Sequence, residues 1–201
     1  FVVEDVKDSI QDYMVAVGMN EVMSYSFINP SAFDKLQLPA DDSRRNAIEL
    51  LNPITDEFKV MRTTMAPSVL SAAAYNLARQ HSKVAIFEVG RVYLPKELPL
   101  KEQPDEISML CAVMSGKAND LNWCTNRDNV DFYDMKGVVE GLMAKLMLNG
   151  YKLVHYAVPY LHPGKSCAVE VDGKIIGWFG ELHPLAQEVY EVAFGIWLSR
   201  P

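Results

Sequence analysis

Two apolar runs near the carboxyl-terminal end of the chain are separated by a dipeptide that favours a tight turn. The runs are residues 167–171 and 175–179, and Asp172-Gly173 lies between them. An Asp-Gly pair readily adopts the positive φ angles of a primed two-residue turn, whose twist matches that of paired strands. The sequence therefore predicts a β-hairpin here, and with it a sheet that is at least partly antiparallel.

Helical and extended segments alternate irregularly along the rest of the chain. Apolar residues recur every three or four positions over residues 3–17, where Gly18 closes a first helix, and Pro67 opens another that extends to Arg79. The other predicted elements are helices at 31–36, from 131 to the Asn149-Gly150 pair and at 184–192, and strands at 21–28, 58–61, 84–95, 107–114, 151–158 and 193–198. No glycine-rich phosphate loop follows a predicted strand. This order predicts one α+β domain over residues 1–201, with a largely antiparallel sheet flanked by helices.

The charge balance argues against several classes of function. The chain has 19 Lys and Arg residues against 26 Asp and Glu residues, a net charge of −7. Tight RNA or DNA binding needs clustered basic residues, and here they are scattered, so direct binding by this chain is not expected. No apolar run approaches the roughly 18 residues of a membrane span. The three cysteines have no close spacing, which is typical of reduced thiols in a cytosolic protein.

Residues 84–95 form an apolar strand that carries two charges. Glu88 and Arg91 are costly to bury in a strand unless each has a partner, and the strand then ends on Leu94-Pro95. The pattern indicates either a ligand site or the remnant of one.

The other polar residues favour structural roles over chemistry. The four histidines do not fall at metal-ligand spacing with each other or with a cysteine, and no serine lies in a nucleophile elbow. His162 and His183 each precede a proline, so we expect turns that their side chains stabilise. Asp131, Asp134 and Lys136 at a helix entry fit either a ligand site or helix capping, and capping is the commoner arrangement. Asn52-Pro53 predicts a further turn.

Eight segments in register resemble one family, the beta subunit of bacterial phenylalanyl-tRNA synthetase. The segments are Glu21–Phe27, Asn52–Glu57, Met61–Ser68, Tyr75–Arg79, Phe87–Tyr93, Asp131–Gly137, Leu161–Gly164 and Gly177–Pro184. Each is a weak signal alone, but together they cover nearly the whole chain in the order that the family shows.

The resemblance implies a module with the class II aminoacyl-tRNA synthetase fold that does not itself catalyse aminoacylation. It implies packing against a catalytic alpha subunit in an (αβ)₂ assembly, a cytoplasmic location, contact with tRNA only through that assembly, and ATP and magnesium used by the complex, with no cofactor in this segment of a longer chain. The family-motif positions, expected to be structural or vestigial, are Asn52, Pro53, Arg62, Glu88, Gly90, Arg91, Asp134, Lys136, Gly137, His162, Pro163, Gly164, Gly180, Glu181, His183 and Pro184.

The strand at 84–95 departs from a working class II site. The resemblance calls for an arginine after Tyr93 to bind the α-phosphate, and Leu94 stands there instead. A glycine and an arginine near the end of the chain resemble the third class II motif, but Trp197 lies between them. We therefore expect no catalytic, cofactor or metal residue, and we expect protein partners for Glu88 and Arg91.

Two alternatives stay open at this point. One is a degenerate ligase that still adenylates a small carboxylate, with Glu88 and Arg91 contacting the substrate. The other is an RNA-binding module, which would show salt-sensitive tRNA affinity despite the net charge of −7. For the assembly function, the first helix and the helix at 67–79 are the candidate contact surfaces, and an exposed patch there predicts self-association of the isolated chain.

Overall fold

A computed structural model describes residues 2–53, 55, 57–118, 128–190 and 196–199 of the 201-residue chain. The helices are α1 (Val2–Ala16), α2 (Ser31–Lys35), α3 (Ala66–Leu77), α4 (Phe132–Lys145) and α5 (Pro184–Tyr190), with a 3-10 helix at Ser43–Arg45. The strands are β1 (Asn20–Glu21), β2 (Phe27–Ile28), β3 (Val60–Met61), β4 (Lys83–Leu94), β5 (Asp105–Gly116), β6 (Lys152–His155), β7 (Leu161–Val171), β8 (Lys174–Leu182) and β9 (Ile196–Ser199). None of the helices in these ranges is long and apolar enough to cross a membrane.

Seven strands form the main sheet, in the order β1-β4-β5-β9-β8-β7-β6. Among the described strands of this sheet, only β1 and β4 pair in parallel, and every other neighbouring pair is antiparallel. Strands β2 and β3 form a separate antiparallel pair. The predicted α+β fold with a largely antiparallel sheet is therefore confirmed.

Helices cover both faces of this sheet. Because side chains alternate along a strand, β4 sends Val84 and Ile86 to one face and Ala85 and Phe87 to the other. The first face packs on α3, with Val69 and Leu70 among its buried residues. The second face packs on α1 and α4, through buried residues that include Met14, Met135, Val139 and Leu142. We call these the α3 face and the α1/α4 face.

The predicted hairpin is present and is longer than the apolar runs that define it. Asp172 (φ 49°) and Gly173 (φ 76°) both have positive φ and join β7 to β8, in agreement with a primed turn. The helix that Pro67 opens also forms, because the proline occupies the first turn, where its missing N–H is not needed.

Several boundaries differ from the sequence-based expectations. The strand predicted at 21–28 is wrong, because Glu21 ends the pairing with β4 and Phe27 begins a different sheet. Between them residues 22–25 have no regular secondary structure, and Met23 and Tyr25 are exposed. The strands predicted at 58–61 and 151–158 shorten to β3 and β6. Residues 191–195, on which the end of the last helix and the start of the last strand were predicted, lie outside the described residues, as do residues 119–127 between two predicted elements.

Candidate functional site

Glu88 and Arg91 lie on opposite faces of the sheet. They are three positions apart in β4, and a strand alternates its side chains with a period of two. Glu88 is 4% exposed and points to the α3 face, whereas the Arg91 side chain is 63% exposed on the α1/α4 face. The two charges that first indicate a ligand site in the sequence are therefore not parts of one site.

Glu88 forms a buried ion pair with Arg62. Arg62 Nη1 donates to Glu88 Oε1 over 2.9 Å, and the two side chains are only 3% and 6% exposed. Ser24 Oγ donates to the other carboxylate oxygen and accepts from Arg62 Nη1. Arg62 Nε donates to the backbone carbonyl of Arg91 at 2.8 Å. This network joins the segment between β1 and β2, the end of β3 and the middle of β4.

Gly90 makes room for this network. A Cβ at Gly90 would lie 2.4 Å from Arg62 Nη2, 2.9 Å from Glu88 Oε1 and 3.0 Å from Met65 Cε. The guanidinium cannot easily move aside, because its hydrogen bonds fix it from several directions. The motif glycine therefore has a packing reason.

Arg91 has a protein partner in the adjacent strand. Arg91 Nη1 lies 2.9 Å from Glu106 Oε2 on β5, in an exposed pair. Both residues border a groove of about 430 Å³ between α1 and the sheet. Its other lining residues are mostly apolar, namely Val6, Ile10, Val89, Gly90, Ile107, Met109 and Leu110, with Glu4, Lys7 and Ser108. The expected pairing of Glu88 and Arg91 with protein groups is thus confirmed for both.

A cavity opens on the α3 face, beyond Gly90 along β4. It has a volume of about 670 Å³. We call it the β4–β5 cleft. Its lining comprises Asp42, Ser43, Arg44, Asn46, Thr63, Thr64, Val92, Leu94, Pro95, Ile107, Met109, Tyr156, Ile175 and Trp178. Leu94, which stands where the resemblance calls for a phosphate-binding arginine, is therefore one of its walls.

The two charged residues of the cleft lining neutralise each other. Arg44 Nε and Nη2 donate to the two carboxylate oxygens of Asp42 at 2.8 and 2.6 Å, a bidentate pair. These hydrogen bonds hold the pKa of Asp42 below its ordinary value. Burial is the largest single influence and disfavours the Arg44 cation, but the hydrogen bond to Asp42 and the Coulombic attraction of Tyr160, Asp42 and Tyr156 together outweigh it, so the pKa of Arg44 is raised. The arginine also lies over the Tyr160 ring, 5.6 Å from its centroid.

A hydrogen bond joins the buried Tyr160 to the partly buried Trp178 at the cleft. Tyr160 is fully buried, and its hydroxyl accepts a hydrogen bond of 3.0 Å from Trp178 Nε1. Burial raises the pKa of Tyr160, so the phenol stays neutral. Trp178 therefore has its polar atom satisfied inside the fold and presents its ring to the cleft.

The helix-entry charges form a capping box, as the sequence favours. The Asp131 carboxylate accepts from the backbone N–H groups of Tyr133 and Asp134, and the Asp134 carboxylate accepts from Asp131 N. Lys136 pairs with Glu140 one turn further along α4, at 2.9 Å. A Cβ at the exposed Gly137 would meet nothing within 4 Å, so close packing does not explain that glycine.

The turns expected at the two His-Pro motifs do not form as separate turns, because His162 lies within β7 and His183 directly precedes α5, but each histidine makes the expected local hydrogen bond. The Nδ1 atom of His162 accepts from Gly164 N at 3.1 Å, and that of His183 accepts from Leu185 N at 3.2 Å, at the start of α5. The pairing of β7 with β8 shifts register between Leu161 and Ser166, where Pro163 cannot donate to the ladder.

Gly180 lies against this irregular part of β7. A Cβ there would be 2.4 Å from the backbone oxygen of Lys165, so only glycine fits. Lys165 and Glu181 form an ion pair. Asn52 and Pro53 lie elsewhere, in an exposed bend before β3.

The motif residues are therefore spread over several places and do not converge on one centre. No group of three or more potential metal ligands occurs within the described ranges. The sequence did not predict the ion pair of Asp42 with Arg44, the hydrogen bonds of Ser24 to Glu88 and Arg62, or the hydrogen bond between Tyr160 and Trp178. The ion pair has a local signal, an aspartate two residues before an arginine, but nothing local connects Ser24, Tyr160 and Trp178 to their roles.

The fold is that of the class II aminoacyl-tRNA synthetases. Two structures of pyrrolysyl-tRNA synthetase from Desulfitobacterium hafniense superpose on it with TM-scores of 0.71 and 0.69. Each superposition covers 98% of this chain, with 65% and 63% of the other chain, at 17% and 16% sequence identity.

Within that class, sequence defines the family. Residues 3–198 match the model of the phenylalanyl-tRNA synthetase beta chain CLM domain, and the chain belongs to this family. It is 38% identical over 194 residues to a phenylalanine–tRNA ligase beta subunit of Syntrophotalea carbinolica, a match that covers 94% of this chain and 23% of the relative. The corresponding subunit of Geobacter metallireducens is 40% identical over 176 residues, covering 87% and 22%. The chain thus spans under a quarter of the length of these curated relatives.

Proposed function

We propose that this chain is the non-catalytic core-like module of a phenylalanine–tRNA ligase beta subunit. It forms one domain of a longer chain and supports the catalytic alpha subunit in an (αβ)₂ assembly that uses ATP and magnesium to charge tRNA with phenylalanine. It contacts tRNA only through that assembly, which works in the cytoplasm. Family membership supports the assignment to a phenylalanine–tRNA ligase complex, and the geometry of the α3 face supports the non-catalytic role.

One observation carries the non-catalytic part: two arginines on the α3 face, Arg62 and Arg44, are already held by carboxylates. Arg62 is buried against Glu88, and Arg44 forms a bidentate pair with Asp42. A class II site binds ATP through arginines on its phosphates, and Leu94 cannot donate a hydrogen bond there. Losing one such contact reduces a rate by on the order of a hundredfold or more.

The placement of the two strand charges also argues against the ligase alternative. That alternative needs Glu88 and Arg91 to contact one small substrate. They lie on opposite faces of the sheet, Glu88 under α3 and Arg91 beside α1. No single small molecule can reach both.

ATP–pyrophosphate exchange tests this part of the proposal. The full-length beta subunit, prepared without its alpha subunit, should give background exchange with phenylalanine and with the other amino acids. The complex should exchange with phenylalanine, and Arg91→Ala in the beta subunit should retain that activity within about twofold, because Arg91 forms only an exposed pair. Exchange by the beta subunit alone that Arg91→Ala removes would establish the ligase alternative.

For the assembly role, α1 is the first candidate contact surface. Val6, Val15 and Val17 along and just beyond this helix are 43%, 57% and 40% exposed, although valine favours burial. Helix α3 is the second, through Tyr75, whose exposed ring carries the Arg79 guanidinium 3.2 Å from its centroid.

Co-purification of full-length subunits tests the assigned surface. Val15→Asp should weaken capture of the alpha subunit at least about tenfold, since it places a charge in an apolar contact. The matched control is Val189→Asp on α5, a 47% exposed valine that is not assigned to the interface. Equal capture by both variants and the unaltered subunit would remove α1 from the interface.

The RNA-binding alternative has a separate readout. Filter binding of tRNA to the isolated chain should show no salt-dependent affinity at physiological ionic strength, since the net charge is −7. A steep salt dependence would favour that alternative.

A further inference from the structure

We propose that the β4–β5 cleft binds an uncharged, ring-containing small molecule that is apolar on one side and carries a hydrogen-bonding group on the other. This ligand site goes beyond the assembly function and does not depend on it. The volume of about 670 Å³ lies in the usual range for small-molecule sites, roughly 300–1,000 Å³.

One side of the cleft is apolar and aromatic. The aliphatic lining residues come from three strands that are separated in sequence, namely Val92 and Leu94 of β4, Ile107 and Met109 of β5 and Ile175 of β8. Trp178 and Tyr156 add two rings with centroids 6.1 Å apart and an interplanar angle of 36°. Because the Trp178 N–H is satisfied by Tyr160, its ring contributes a π-face and no free polar atom.

The other side offers hydrogen-bonding groups without charge. Ser43 and Asn46 are exposed at the 3-10 helix, and Thr64 is buried beside them in the lining. Thr63 is already engaged, since its hydroxyl donates to the carbonyl of Arg44. A carboxamide fits such a wall, because it can both donate and accept.

The cleft should disfavour charged ligands. Its one cation and one anion, Arg44 and Asp42, satisfy each other with two hydrogen bonds. An ionic ligand would lose hydration on entering and find no unpaired counter-ion within the described lining. A neutral ligand of the same shape loses less hydration.

Three probes of equal shape and different charge test this in the complex of the full-length alpha and beta subunits. They are 2-naphthamide, 2-naphthoate and 2-naphthamidine, titrated by saturation-transfer difference NMR. Binding at this cleft is the part of the signal that Ile175→Trp removes, because the larger side chain fills the cleft and leaves other sites of the complex unchanged. We expect the amide to bind this site at least about tenfold more tightly than either ion.

A variant that should reverse the preference for neutral over anionic ligands provides a second test. Leu94→Arg places an unpaired guanidinium in the cleft wall, and we expect naphthoate to gain at least about tenfold relative to naphthamide. The matched control is Leu100→Arg, an equal change at a 42% exposed leucine outside the lining, which should leave the order of the probes unchanged. If Leu94→Arg does not fold, the proposal is tested by Ile175→Trp alone, which should remove the binding of 2-naphthamide at this cleft.

The proposal is overturned if either ion binds the unaltered cleft as tightly as the amide. It is equally overturned if Ile175→Trp leaves the signals of all three probes unchanged, or if none of them binds at millimolar concentration.

Discussion

Breaking the buried pair of Arg62 and Glu88 should be among the most destabilising single changes in the chain. The two side chains are 3% and 6% exposed, so removal of one leaves an ion in the interior without its counter-ion. Arg62→Met should lower the free energy of unfolding by about 3–5 kcal/mol, and Glu88→Met by a similar amount. In equilibrium urea unfolding this corresponds to a midpoint lower by about 1–2 M.

The double variant distinguishes a coupled pair from two independent contributions. With both groups replaced by methionine, no buried charge is left unpaired, so the loss should not exceed that of either single variant. The control is Arg91→Met on the same strand, whose exposed pair with Glu106 should contribute less than about 1 kcal/mol. A double variant whose loss equals the sum of the two single losses would refute the reasoning, as would a loss below about 1 kcal/mol for Arg62→Met.

Three further predictions concern single residues. Gly90→Ala should lower the free energy of unfolding in urea by about 1–3 kcal/mol, because the new Cβ would lie 2.4 Å from Arg62 Nη2. Gly137→Ala should raise it by about 0.5–1 kcal/mol, because a Cβ at this position in α4 meets nothing within 4 Å and alanine favours the helix. An equal effect of the two changes would contradict the packing argument. Asp131→Ala should cost about 1 kcal/mol by loss of the capping box, measured by thermal unfolding, and no change in stability would show that solvent replaces the cap. The pKa of Asp42 is lowered in the folded state, so its ionised carboxylate contributes fully to stability above its ordinary pKa of 3.8, and this contribution is lost as the pH falls through the lowered value. Asp42→Asn should therefore make the free energy of unfolding fall less steeply with decreasing pH. An unchanged slope would rule this out.

Some features of the site follow from sequence because their causes are local. The capping box at Asp131 joins groups three residues apart, and the side-chain hydrogen bonds of His162 and His183 each join groups two residues apart. Such hydrogen bonds form wherever the backbone takes the local conformation, so spacing alone predicts them. The opposite placement of Glu88 and Arg91 is also contained in the sequence, because three positions in a strand change the face.

Other features depend on distant parts of the chain. Arg62 and Glu88 are 26 positions apart, and Ser24 is 64 positions from Glu88. The strand predicted at 21–28 failed for the same reason: its two ends pair with different sheets, which no alternation of apolar residues reveals.

The sequence by itself determined the α+β class, the Asp172-Gly173 hairpin, the helix caps and the absence of an arginine at position 94. Only the tertiary structure decided that Glu88 pairs with Arg62, why position 90 is a glycine, and that the cleft beside Leu94 carries no unpaired charge in its described lining. The physical reason is the range of the interactions. Turns and caps are fixed by dihedral angles and hydrogen bonds within a few residues, whereas a buried ion pair and a cleft arise only where packed strands and loops bring remote side chains together.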